Sequence, residues 1–466
     1  MNNKLLVLVA WIFSLHIANA QTAMPSLFSN DMVLQQQTMT ALWGTDKPGT
    51  KIMITGSWGN SATTITSKDG HWRLKIQTPI AGGPYTMNIK GTKTLSFKNV
   101  LIGEVWLCSG QSNMEMPLKG FNNQPIYGSN EAILNATNPN IRFYTSPRNI
   151  SITPLYDAKS EWKTASPENA PNFSATAYFF AKKIQSILNI PVGIIHTSWG
   201  GSSIESWMDA QSLASFKNKK IPEALPVKDP NKVPTVMYNG MLHPFIGYAI
   251  KGALWYQGET NRDNAYEYKD LFTKMINEWR NQWQQGDFPF YFVQIAPYLP
   301  GNANSAFLRE AQLQTMLAVK NTGMAVTLDI GEQNLIHPPN KELVGNRLAY
   351  WALAKEYNVK GIAYSGPIYH QMEKTTDHKI ILSFHHADLG FSGFGKPFID
   401  FEIAGEDKIF HPAQVKINPE KKSSLIIWND SIKNPLSVRY AFKSWAVGSL
   451  YNIQGLPASS FRTDEW

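Results

Sequence analysis

A single cysteine, Cys108, stands among 466 residues. One thiol cannot close an intramolecular disulfide, and none lies near position 20 to carry a lipid, so packing has to hold the fold together. Outside one stretch near the start, no apolar run approaches membrane-spanning length. Lysine and arginine exceed aspartate and glutamate by 43 to 35, for a net charge of +8. These charges are dispersed, so a nucleic-acid footprint is not expected. No His-Glu-x-x-His segment or comparable ligand set occurs, and neither metal nor other cofactor is expected. Internal repeats and low-complexity segments are also missing. Aromatics are plentiful, with 15 Trp, 18 Tyr and 23 Phe. They supply large buried faces and, where exposed, platforms that suit sugar rings.

The stretch near the start is Lys4, the apolar run Leu5 to Leu15, and Ala18-Asn19-Ala20. This basic, apolar, small-residue order predicts a signal peptide over residues 1–20 and export to the periplasm or cell exterior. The run is too short for a stop-transfer helix, so no membrane contact is expected after cleavage.

Residues 21–99 alternate apolar and polar positions between Pro48-Gly49, Asp69-Gly70 and Gly82-Gly83-Pro84, which predicts a small β-sandwich-like domain. Over residues 100–360 strand-like runs (Val105–Leu107, Val192–Thr197, Gly252–Tyr256, Phe288–Ile295, Met324–Ile330) alternate with helical patterns. One helical face carries Phe180, Ile184 and Ile187; another carries Leu271, Phe272, Met275, Ile276, Trp279 and Trp283. The class is α/β, a parallel sheet covered on both faces. Short strands return over residues 361–466 as a C-terminal β region.

Chemistry collects at the carboxyl ends of those strands, where open α/β folds place it. Gly110-Gln111-Ser112-Asn113-Met114 follows the first and puts a serine hydroxyl on a tight turn. Trp199-Gly200-Gly201 follows the second, where paired glycines can turn N–H groups toward an oxyanion. Gln257-Gly258-Glu259-Thr260-Asn261 follows the third and offers an amide; Leu335-Ile336-His337-Pro338 follows the fifth and offers an imidazole. Each has a plainer reading: a glycine pair is usually a turn, His337 could cap a helix, and Trp199, Trp207 and Trp255 could be core. Coincidence at four strand ends is the weaker account, and the set contains the parts of a serine esterase.

These blocks, with Glu115-Met116-Pro117, Ile204-Glu205-Ser206-Trp207, Asn340-Lys341 and Arg347-Leu348-Ala349, resemble the bacterial sialate O-acetylesterases, which are SGNH-type hydrolases. Leu27-Phe28-Ser29, Met32-Val33-Leu34-Gln35 and Gly455-Leu456-Pro457-Ala458 extend the resemblance to nearly the whole chain. It implies a three-layer SGNH-like core with flanking β regions and hydrolysis of acetyl esters on sialic acids or other sugars. It makes Ser112 the nucleophile and His337 the base, with the N–H groups of Ser112 and Gly200 or Gly201 and the Gln257 amide on the oxyanion. Trp199, Glu259 and Asn261 become candidate substrate contacts. Leu335 stands where the family commonly has a polar residue, so the group orienting His337 is open among Asp329, Glu332 and a main-chain carbonyl. The expected partner is an acetylated sialic acid or another glycan, such as acetyl-xylan. A non-catalytic carbohydrate-binding protein is the alternative from another class, and the sequence sets no oligomeric state.

Overall fold

The computed structural model describes residues 21–466 apart from Pro300 and Asn302; the signal-peptide expectation falls outside the described residues. At its centre is a sheet in which Thr322–Ala325, Phe290–Val293, Gly252–Tyr256, Thr94–Gly110, Val192–Ser198, Asn138–Thr145 and Trp162–Ala165 lie side by side. All neighbours are parallel except the last pair. Every residue of Val192–Ser198 and Gly252–Tyr256 is buried, as expected of strands covered on both faces. The α/β class with added β regions is therefore observed.

Helix Ala265–Trp283 covers one face through Leu271, Phe272, Met275, Ile276, Trp279 and Trp283, all buried. Burying each such side chain contributes about 1.5–3 kcal/mol. Ala175–Leu188 and Lys341–Lys355 pack together. Ser174 caps the former by accepting from the Ala177 N–H, and Asn189 ends it in the left-handed region. Phe180 and Ile184 are buried on that helix, but Ile187, expected on the same face, is half-exposed in the last turn.

The central strand is unusually long. The amino half of Thr94–Gly110 pairs with Gly82–Lys90, which in turn pairs with Lys51–Gly56. Its carboxyl half pairs with Val192–Ser198 and Gly252–Tyr256. The amino-terminal β region and the core thus share one strand, which runs through the 99/100 boundary set by composition. The carboxyl-terminal region forms short antiparallel sheets, including Ile368–Lys374, Ile380–His385, Ser424–Trp428 and Gln414–Ile417. Among the described residues no helix is long and apolar enough to cross a membrane.

Candidate active site

Gly110 ends the central strand with φ of 139°, and an added Cβ would lie 2.2 Å from the Tyr256 carbonyl oxygen. Only glycine serves there, because both the backbone angle and the close approach exclude a side chain. The neighbouring strand ends hold the turn: Gln111 N–H donates to Tyr256 O at 2.9 Å, and Trp199 N–H to Gly110 O at 3.2 Å. Ser112 therefore opens the short helix Ser112–Glu115 at the edge of the sheet, partly exposed.

His337 comes from 225 residues away, and its Nε2 lies 2.7 Å from Ser112 Oγ. Burial, with the Lys341 charge adding to it, pushes the imidazole down to about 4, so at neutral pH it is unprotonated and able to accept a proton. Its Nδ1 is held by the side-chain oxygen of Gln124. Gln124 sits on a tight turn in which Phe121 and Gln124 exchange two main-chain hydrogen bonds. The same turn sets Phe121 edge-on to the imidazole, with centroids 5.5 Å apart. An amide oxygen accepting from Nδ1–H leaves Nε2 as the acceptor facing the serine.

Neither carboxylate considered for this orienting role reaches the ring. Asp329 is bound bidentately by Arg347, at 2.7 and 2.6 Å, tying the turn after the last core strand to helix Lys341–Lys355. Glu332 is exposed in the intervening loop. The side-chain oxygen of Gln124, and neither Asp329 nor Glu332, is the hydrogen-bond partner of Nδ1 in the structure.

The oxyanion donors also differ from expectation. Gln257 is fully buried, and its amide donates to Ser202 O at 2.9 Å and Asn261 Oδ1 at 2.7 Å. Its own oxygen accepts from the Tyr268 hydroxyl. Asn261, buried as well, donates onward to Glu205, which pairs with Lys219 at 2.8 Å. These side chains stiffen the loop after Val192–Ser198 and are not free for substrate. The Gly200 N–H donates to Glu115 Oε2 at 2.8 Å. Among the described residues, the main-chain N–H groups of Ser112 and Gly201 are the expected donors with no other acceptor. Glu259, expected to touch substrate, points into the protein and accepts from Asn113 Nδ2.

Trp199 lies at the rim, half-buried, with the Arg148 guanidinium 5.2 Å from its ring centroid. Arg148 is held by Glu115 at 2.6 Å and keeps half its side chain exposed. Sequence reasoning missed Gln124, Glu115 and Arg148 as site residues. Glu115 alone carried a signal, as part of the block that follows Ser112.

The family model for carbohydrate esterases of the sialic acid-specific acetylesterase type matches residues 102–353, more than half of the chain and the whole of this site. The chain belongs to that family. Human sialate O-acetylesterase is 28% identical over 472 residues, covering 90% of this chain and 87% of its own, and the mouse enzyme is 26% identical with 90% and 89% covered. A crystal structure of a carbohydrate acetylesterase from Xanthomonas citri superposes on the esterase with a TM-score of 0.87 and 35% identity, covering 96% of this chain and all of the other. The resemblance read from the motifs is thereby shown.

Proposed function

We propose that the esterase removes O-acetyl groups from sialic acids, with Ser112 as nucleophile and His337 as base. The observation that carries this is the 2.7 Å contact between His337 Nε2 and Ser112 Oγ, assembled across 225 residues at the edge of a parallel sheet. Ser112 Oγ attacks the acetyl carbonyl carbon while His337 takes its proton. The negative oxygen forms against the Ser112 and Gly201 N–H groups, where fixed donors stabilise charge without reorganising. His337 then returns the proton to the departing sugar oxygen. Water, deprotonated by the same imidazole, releases acetate and restores the serine.

The sialic acid preference is supported by the relatives' substrate and by Arg148, a half-exposed cation beside Trp199 that can meet a sugar carboxylate. A neutral acetylated glycan is favoured instead if Glu115 already satisfies that charge. A panel of O-acetylated sialic acid, its carboxamide and acetyl-xylan decides between them. Arg148→Gln is expected to raise KM for the sialate about tenfold while leaving the carboxamide unchanged; equal effects on both would remove the carboxylate from the recognition. Export is proposed from residues 1–20, and protein recovered outside the cytoplasmic membrane is expected to begin at Gln21.

A further inference from the structure

Behind Ser112 lies a buried group that the acyl-transfer steps do not use. The Asn113 side chain donates to Glu259 Oε1 at 2.5 Å and to the Ile336 carbonyl oxygen at 3.2 Å, while its own oxygen accepts from Lys341 Nζ. Lys341 is fully buried, with its ammonium 5.1 Å from the Tyr256 ring centroid. The second Glu259 oxygen is buried with no partner among the described residues. One amide thereby touches three separate stretches: the end of Gly252–Tyr256 through Glu259, the segment before His337 through Ile336, and the helix after it through Lys341.

Two opposite charges buried on one neutral side chain cost desolvation, and replacing such a set by apolar residues often does not weaken a protein. Stability alone therefore does not account for them. Their location does: Asn113 follows the nucleophile directly, and Ile336 precedes the base directly. We propose that Asn113, Glu259 and Lys341 are positioning residues that lock the Ser112 turn against the His337 segment. This rests on the serine–histidine reading of the site and extends it to residues that never meet substrate.

The groups facing His337 are few. Ser112 and Gln124 bind its two nitrogens and Phe121 meets its edge. Lys341 opens the helix that begins four residues after His337, with Glu259 behind Asn113. Glu115 and Arg148 form one ion pair, and Asp329, in the turn after Thr322–Ala325, forms another with Arg347 on the helix. Lys341 is the one cation among them not in direct contact with a carboxylate. Burial lowers its own ammonium to about 7, and its charge lowers His337 further.

The test follows His337 directly by NMR in histidine-labelled protein, with the signal assigned by its loss in His337→Gln, alongside acetyl-ester kinetics. In Lys341→Met the His337 titration is expected to move upward by about one pH unit, because a like charge is removed. The acid limb of kcat/KM should move with it, and kcat should fall about tenfold with KM within about twofold. An unmoved titration in folded Lys341→Met overturns the proposal. Should that variant not fold, Glu259→Gln, which preserves shape, is expected to lower kcat about tenfold at constant KM; unchanged kcat there overturns it equally. Absence of esterase activity in the unaltered protein would instead refute the serine–histidine reading, and the NMR titration would still report on the Lys341 charge.

Discussion

Among the described residues two serine hydroxyls meet an imidazole at nearly equal distance, at the ends of neighbouring core strands. Ser112 and His337 meet at 2.7 Å, and Ser198 and His196 at 2.6 Å. The second pair is local: the residues are two apart on Val192–Ser198 and so share a face of the strand. Both are buried, and burial lowers His196 to about 4 as it does His337. Only the first pair has a partly exposed serine, a side chain orienting the other ring nitrogen, and main-chain donors nearby. A serine–histidine hydrogen bond is thus an ordinary way to satisfy a buried imidazole. It becomes chemistry where loops from several strand ends leave room for an acyl group.

The largest expected effect breaks the first pair. Ser112→Ala and His337→Ala should each lower kcat by several orders of magnitude, roughly 10³–10⁶, and the double variant should be little worse than the worse single one. Additive losses would show that the two do not act together. Gln124→Ala should come next, at about 10–100-fold in kcat, the value of one hydrogen bond to an imidazolium of about 1.5–3 kcal/mol. Asp329→Asn should leave kcat within roughly threefold yet lower Tm, because Arg347 loses its bidentate acceptor. A larger kcat loss in folded Asp329→Asn than in Gln124→Ala would reverse the assignment of the orienting group.

Ser198→Ala should change kcat by less than about threefold while destabilising by about 1–3 kcal/mol, since it strips a partner from a buried polar group. Denaturant unfolding beside kinetics distinguishes this from a second active centre. The smallest effect concerns pH. Both imidazoles have folded values below the ordinary 6.5, so each favours the folded state above that pH, and the contribution is lost as pH falls toward about 4. Activity should fall on its acid limb near 4, where His337 gains its proton. An acid limb near 6.5 in the unaltered protein would mean that the imidazole is more solvated than its packing implies.

The parallel core was legible because Val192–Ile195 and Gly252–Tyr256 are apolar runs, and Ala265–Trp283 repeats its aromatics at helical spacing. Asn138–Thr145 escaped notice because it opens with Asn138-Pro139-Asn140, which reads as a turn, and carries Arg142 in its buried stretch. That guanidinium is accommodated by the carbonyls of Asp31 and Asn99. Helix Ala306–Ala318 was hidden likewise, since Arg309, Gln312 and Thr315 face inward beside its apolar residues. Ser112 and His337 stood out because both follow apolar strands. Gln124 did not: it lies in Phe121-Asn122-Asn123-Gln124-Pro125, a polar turn 213 residues from the ring it holds. Asp329 and Glu332 attracted attention through chain proximity, which says little about where a carboxylate points.

The shared central strand has a consequence for the order of synthesis. When Gly110 leaves the ribosome, the amino half of Thr94–Gly110 already has Gly82–Lys90 beside it. Its apolar carboxyl half, which leads into the Ser112 turn, must wait for residues 192–198 and then 252–256. At about 5–20 residues per second that wait lasts roughly 7–30 s, with an unpaired apolar edge growing from a finished β region. Ser112 therefore follows a stretch whose strand partners are made last, and arresting translation before residue 256 is expected to yield a species that chaperones bind more tightly than the completed chain.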